Sequence, residues 1–273
     1  MAVGAGRFHA CTEEEVVAEV RAALRDGVGG RIVTPNVDIL RRASRDPAVR
    51  GYLDDASLVV ADGMPLVWAS RLAGTPLPER VAGSSLIWSL AAGLAHERRA
   101  LYLLGGEPPD AGSGGPDGAL RAAVRLVSAH PGLRIAGAHS PPYGFEQDPG
   151  TLERICAAVA EARPDLVCVG VGFPKQESVI SLLRARLPGA WYLGCGAAIN
   201  FVAGDRERAP AWMQRTGLEW AHRLASEPRR LAGRYLGHDA PYALRLLAGA
   251  TLRRYRRAGV ATPDADATLT GRS

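Results

Sequence analysis

The sequence predicts an α/β fold built on a mostly parallel sheet. Short apolar runs recur along its 273 residues, each run ends in turn or polar residues, and stretches with helical spacing separate them. Strands that alternate with helices argue for a parallel sheet covered on both faces. The expected architecture is Rossmann-like, with helices on both sides of the sheet and a basic helical C-terminal appendage.

The elements follow in order. Glu13 to Asp26 reads as a helix, because Val16, Val20, Ala23 and Leu24 share one face and Thr12 with Glu15 spells a capping box. The strand runs are RIVTPN, SLVVADG, LYLLGG, RIAGAHS, DLVCVGVG and WYLGCGAA. Between them, GMPLVWASRLAG, GSSLIWSLAAGLAHE and TLERICAAVAEA have helical spacing. Residues 107–118, EPPDAGSGGPDG, read as a mobile surface loop. After Phe201 the strand pattern stops, and two basic helical segments follow at about 210–236 and 241–257. The tail ATPDADATLTGRS has the composition of a disordered segment. This divides the chain into an α/β core (1–203), a basic helical appendage (204–257) and a tail (258–273).

Composition narrows the function classes. With 47% hydrophobic and 22% charged residues, the chain can bury a sizeable core. No apolar run approaches the ~20 residues of a membrane span, and the N-terminus lacks the basic start and apolar stretch of a secretory signal. The expectation is a soluble cytoplasmic protein. Cys11, Cys156, Cys168 and Cys195 form no close pair and no zinc-like cluster, so neither disulfides nor a structural metal are expected. Net charge is +5, carried almost entirely by arginine, and Lys175 is the only lysine. From Arg206 to Arg257 basic residues far outnumber acidic ones. Such a field suits nucleic acid, anionic lipid or a diphosphate. Only 6% aromatic residues and no recognised module argue against nucleic acid.

In open parallel sheets, ligands bind beyond the carboxyl ends of the strands. Those ends are polar or glycine-rich here: Thr34-Pro35-Asn36, Asp62-Gly63, Gly105-Gly106, Tyr143-Gly144, Gly170 to Glu177, and Gly194 to Gly196. Turn chemistry explains any one of them; together they describe a continuous rim. The dinucleotide fingerprint, the phosphate loop and the G-x-S-x-G nucleophile elbow are all missing. Asp62, at the end of LVVA, is the best acid/base candidate, since a carboxylate there can accept a proton from an incoming hydroxyl. Its alternative is a cap on the following helix. Arg80, before the helix start in ERVAGSSL, suits phosphate. Thr34 and Asn36 either bond a sugar or phosphate or shape their turn.

The motifs TPN, ADG, RVAG, LLGG, YGF, GFPKQE, FVAGDRERAPAW and GLEWAHRLASEPRRL, in this order over about residues 12–236, resemble the WecG/TagA/CpsF family of bacterial glycosyltransferases, glycosyltransferase family 26. The resemblance implies an inverting, metal-independent transferase with no cofactor beyond its UDP-sugar co-substrate. It would move a hexose or N-acetylhexosamine, of the UDP-N-acetylmannosamine kind, onto a polyprenyl-diphosphate-linked sugar for a surface polymer. The only D-x-D, Asp264 to Asp266, falls in the tail rather than at a strand end. By the same resemblance Asp62 is the general base, with Thr34 and Asn36 in its cleft. Arg80 holds phosphates, Gly105 and Gly106 admit the nucleotide, and Tyr143 and Gly144 border the uridine. Gly172 belongs to the same rim, Gln176 bonds the donor, and Glu177 fixes its loop.

Arg223, Arg230 and Arg234 fall at i, i+7 and i+11, one face of a helix, suited to the leaving diphosphate and to anionic lipid at the inner face of the plasma membrane. Related enzymes suggest self-association. The chain departs from the family in having Ser84-Ser85 where an acidic residue usually follows RVAG, and Gly233 where a basic residue is expected. Two other readings remain: transfer to a soluble specialised metabolite, and nucleotide-sugar binding without turnover.

Overall fold

The computed structural model describes residues 2–109 and 115–259. The middle of the EPPDAGSGGPDG loop and the C-terminal tail, with Asp264 and Asp266, lie outside the described residues.

All six apolar runs are strands: β3 (Gly30–Val33), β4 (Leu58–Val59), β5 (Ala100–Gly105), β6 (Arg134–His139), β7 (Leu166–Gly170) and β8 (Trp191–Gly194). They form one sheet in the order β4-β3-β8-β7-β5-β6, with every neighbouring pair parallel. A small antiparallel hairpin, β1 (Ala2–Val3) and β2 (Gly6–Arg7), precedes them. Two residues per strand are too few to leave a periodic signal, so the hairpin was not legible in the sequence.

Successive residues of a strand point to opposite faces, and the core divides accordingly. On one face, Ile32, Leu101, Leu103, Leu166, Cys168 and Leu193 pack beneath α1 (Glu13–Arg25), α5 (Gly83–His96), α6 (Gly118–Ala129) and α9 (Ala198–Ala203). On the other, Tyr102, Leu104, Val167, Val169 and Tyr192 meet α7 (Pro149–Ala162) and α8 (Lys175–Arg186). Val33, Val59 and Ala61 on that same face meet α2 (Val37–Ala43), α3 (Pro47–Asp54) and α4 (Met64–Leu72). Full burial of one such Leu, Ile or Val is worth about 1.5–3 kcal/mol, so both faces are needed to hold the sheet. The capping box of α1 forms as expected: Glu15 N–H donates to Thr12 Oγ1 at 3.2 Å, and Thr12 N–H donates to the Glu15 carboxylate at 2.7 Å. All four cysteines are free, and Cys156, Cys168 and Cys195 are buried.

One charge pair sits inside this core. Arg31 on β3 and Glu177 on α8 are both fully buried and hydrogen-bonded to each other. Asp55 accepts a second bond from Arg31 at 3.2 Å.

The C-terminal segment differs from the expectation. Instead of one helix over about 210–236 there are three short ones: α10 (Ala211–Thr216), α11 (Glu219–Ser226) and α12 (Pro228–Arg234). A π-helical turn, Tyr235–Asp239, then leads into α13 (Ala240–Gly259). Glu227 leaves the helical region (φ −133°, ψ 58°) where Pro228 follows it, since proline both disfavours a helical predecessor and lacks the N–H a continuing helix needs. Arg223 therefore lies on a different helix from Arg230 and Arg234, and the expected i, i+7, i+11 face does not exist. Helix α13 packs on α4, and its Leu246 and Ala250 enter the same apolar cluster as Val3, Leu40 and Leu66.

Candidate active site

Three remote segments are tied together by backbone hydrogen bonds at the carboxyl end of the sheet. Asp62 N–H donates to Pro35 C=O at 3.1 Å, which fixes the ADG turn against the TPN loop. Val81 N–H donates to Ala61 C=O at 3.0 Å, which fixes the RVAG segment beside both. These bonds bring Asp62 and Arg80 together, with Asp62 Oδ1 3.9 Å from Arg80 Nη1. Asp62 does not cap α4. That position belongs to Gly63, with no side-chain bond to the helix, and the Asp62 side chain is left 30% exposed.

Thr34, next to the Pro35 carbonyl that holds Asp62, is buried. A Cβ added to Gly83 would stand 3.2 Å from its Oγ1, so Thr34 abuts the first turn of α5. Asn36 is exposed, and its Oδ1 caps α2 by accepting from Ile39 N–H at 3.1 Å. Of the two roles considered for Asn36, the turn-shaping one is thus present in the structure.

The C-terminal helices reach into the same place. Gly217, left-handed at φ 80°, packs against Met64 and Trp68 at the start of α4, which sets α11 over the Asp62 turn. Glu219 is then the hub of a charge cluster. Its carboxylate accepts from Arg80 Nη1 at 2.8 Å and from Arg223 Nη2 at 2.9 Å, with Arg208 Nε at 4.0 Å. Arg208 also donates to Ser85 Oγ at 2.9 Å in the first turn of α5, and Arg223 lies over the Phe201 ring at 5.2 Å. Burial pushes the Asp62 carboxyl above the ordinary aspartate range; Arg80, Arg223 and Arg208 pull it down, and Glu219 pushes it up. The same guanidinium groups hold Glu219 below the usual glutamate range despite its burial.

Arg234 belongs elsewhere. Its Nε lies 3.6 Å from Asp239, which also contacts Arg41 of α2, and its guanidinium sits 4.8 Å from the Tyr235 ring. The side chain of Arg230 lies outside the described residues. Arg208 and Glu219 fall within the motifs RAPAW and GLEW, but spacing along the chain gives neither a role in the site. The available signal for Glu219 was a carboxylate four residues before Arg223 in an otherwise basic stretch.

A second cluster lies at the topological switch point, between β5 and β7, whose connections leave in opposite directions. Gly105 (φ 130°) and Gly106 (φ 95°) both occupy left-handed backbone. A Cβ on Gly105 would stand 2.6 Å from the carbonyl of Gly170. Gly105→Ala should therefore lower stability by about 2 kcal/mol or more, through strain and a backbone clash. A urea melt checks this, and an unchanged midpoint would mean the strands have room to part.

Beside this turn, Glu107 accepts from Asn200 Nδ2 at 2.9 Å and from the hydroxyl of exposed Tyr143. Asn200 Oδ1 is buried with no hydrogen-bond partner. Gly144, left-handed at φ 83°, opens the short 3-10 turn Phe145–Gln147. Asn200 and Phe201 are adjacent on α9, so that helix touches both clusters. A Cβ added to Gly172 (φ 87°) would meet nothing within 4 Å. Gln176, by contrast, is turned inward: its Oε1 accepts from Gly196 N–H at 3.0 Å and its Nε2 donates to Glu177 at 3.1 Å. Among the described residues, no group of three or more His, Cys, Asp or Glu is arranged to hold a metal ion, and no helix is long and apolar enough to cross a membrane.

Comparison with known proteins agrees with the motif order. The family model described as Glycosyl transferase WecG/TagA/CpsF family matches residues 1–257. A relative from Bacillus subtilis (strain 168), the N-acetylglucosaminyldiphosphoundecaprenol N-acetyl-beta-D-mannosaminyltransferase, is 32% identical over 203 residues, 74% of each chain. The protein of the same name from Bacillus spizizenii is 30% identical over 202 residues, covering 74% of this chain and 73% of the relative.

Proposed function

Because this chain belongs to the WecG/TagA/CpsF family and is a glycosyl transferase, we propose that it moves N-acetylmannosamine, or a closely related hexose, from a UDP-sugar to a polyprenyl-diphosphate-linked N-acetylglucosamine. The observation that carries the mechanism is the carboxylate of Asp62 beside Arg80 at the mouth of the sheet. Asp62 takes the proton from the acceptor hydroxyl as that oxygen attacks the anomeric carbon. The bond to the UDP oxygen breaks on the opposite side, so the configuration inverts. Arg80, Arg208 and Arg223 receive the charge that develops on the diphosphate, each charge-assisted bond contributing about 1.5–3 kcal/mol. These guanidinium groups supply the positive charge that a metal ion would otherwise provide, which supports a metal-independent reaction.

The uridine is assigned to the switch point between β5 and β7. There the buried Oδ1 of Asn200 is an acceptor without a donor, and a uracil imide N–H is the complementary group. Gly105 and Gly106 leave that side of the crevice without side chains, and Tyr143 borders it. Gln176 acts on the donor through the Gly196 turn that it holds, not by direct contact.

The acceptor's lipid places the enzyme at a membrane surface. The described C-terminal helices expose Trp212, Trp220, Leu236, Leu244, Leu252 and Tyr255. Leu244, Leu252 and Tyr255 share one stripe of α13, and Arg245, Arg253 and Arg254 are exposed on the same helix. Aromatic and aliphatic side chains flanked by arginine suit an anionic interface.

One assay tests the whole reading. UDP release is followed with UDP-N-acetylmannosamine and a lipid-diphosphate-linked N-acetylglucosamine in vesicles, with and without EDTA, and the product anomer is read by NMR. The expected result is a β-linked product, turnover insensitive to EDTA, and a faster rate in anionic than in neutral vesicles. No UDP release from any UDP-sugar would instead favour a nucleotide-sugar-binding protein, and transfer only to soluble acceptors would remove the membrane role.

A further inference from the structure

The carboxylate of Glu219 is the centre of a buried charge cluster beside Asp62. It sits 7% exposed at the start of α11, at the focus of three guanidinium groups contributed by separate stretches of chain. Its two oxygens complete only part of the available bonding. Arg80 and Arg223 are each hydrogen-bonded to it, whereas the Nε of Arg208 is buried without a hydrogen-bond partner, 4.0 Å from Glu219. With Asp62, two carboxylates face three guanidinium groups, so the cluster retains a net positive charge. A planar carboxylate is thus an incomplete occupant of a site whose donors converge from three directions. A tetrahedral phosphate, with more oxygens and more charge, would satisfy the remaining donor as well.

We propose that Glu219 is a placeholder anion: it occupies the phosphate subsite of the unliganded enzyme, and the donor's diphosphate displaces it when the substrate binds. This rests on the reading that the arginine cluster receives the donor's diphosphate. The exchange has a physical purpose. Three guanidinium groups crowded beside one another without an anion would repel and splay, and their desolvation would go uncompensated. Glu219 keeps them in the geometry the substrate needs, at the cost of competing with the substrate. Because Glu219 and Arg223 share α11, its expulsion also shifts the helix that covers Asp62, so the cover over the base responds to whether the donor is bound. After transfer, Glu219 returns to the arginines and helps displace UDP.

The test is calorimetric titration of the full-length protein with UDP, inorganic pyrophosphate and uridine, comparing wild type with Glu219→Gln. Removing the competing charge while keeping the side chain's shape is expected to tighten UDP and pyrophosphate about tenfold, with uridine affinity unchanged. Unchanged or weaker pyrophosphate binding would overturn the proposal and make Glu219 a plain structural organiser. An equal change for uridine would also overturn it, since uridine has no phosphate to compete. If Glu219→Gln does not fold, Glu219→Asp, which retracts the charge by one methylene, should shift pyrophosphate binding in the same direction by a smaller factor; no shift would again refute the proposal. A wild-type protein that binds none of the three ligands would instead remove the donor assignment on which the proposal rests.

Discussion

Asp62→Asn is expected to lower turnover by about 10²–10⁴, the usual contribution of a positioned general base, while leaving UDP affinity within a few-fold of wild type. The amide keeps the size and hydrogen-bonding reach of the side chain but cannot accept the hydroxyl proton. Steady-state UDP release gives the rate and calorimetry gives the affinity; near-wild-type turnover would show that the proton goes elsewhere. A pH profile adds an independent signature. Burial raises the Asp62 carboxyl, and its partial cancellation by Arg80, Arg223 and Arg208 still leaves it above an ordinary aspartate. Only the ionised form accepts a proton, so the wild-type rate should fall on the acid side, through a pH above the usual aspartate range. In Asp62→Asn the residual rate should lose that acid limb.

The largest expected effect on stability lies away from the site. Arg31→Met should destabilise the fold by about 3–5 kcal/mol at neutral pH, because it leaves the fully buried carboxylate of Glu177 without its cation. Burial already pushes that carboxyl above its ordinary value while Arg31 opposes the push, and without Arg31 the push is unopposed. A carboxyl whose folded pKa is raised costs stability as pH rises from the ordinary glutamate range through the raised value. The loss should therefore be smaller at pH 5 than at pH 8, which urea melts at the two values measure. Arg31→Met combined with Glu177→Met should recover most of the stability, since no charge is then left unpaired. A double variant no better than the single would show that packing, not charge, is the cause. The pair also matters to the site: Glu177 anchors Gln176, which holds the Gly196 turn.

Local signals in the chain were sufficient for much of the architecture. Six apolar runs bounded by turn residues became six parallel strands, and Thr12 with Glu15 became a working cap, because an apolar strand run and a helix cap are each written in residues within a few positions of one another. The break at Glu227-Pro228 is equally local: the i, i+7, i+11 spacing of Arg223, Arg230 and Arg234 spans a proline that disfavours a helical predecessor. The family resemblance gives Asp62 and Arg80 neighbouring roles, and the two side chains lie 3.9 Å apart.

Folding in three dimensions settled what spacing along the chain has no means to express. Arg80 and Glu219 are 139 residues apart, yet their side chains are hydrogen-bonded. That contact requires the ADG, TPN and RVAG segments to be tied by backbone bonds and Gly217 to seat α11 against Met64. The same holds for Gln176, a rim residue by position but turned inward by bonds to Gly196 and Glu177. Asn200 likewise meets Glu107, 93 residues away, with its amide nitrogen while its oxygen is buried without a donor. Burial and the convergence of like charges are properties of distance in space, and a linear pattern of residue types carries distance only along the chain.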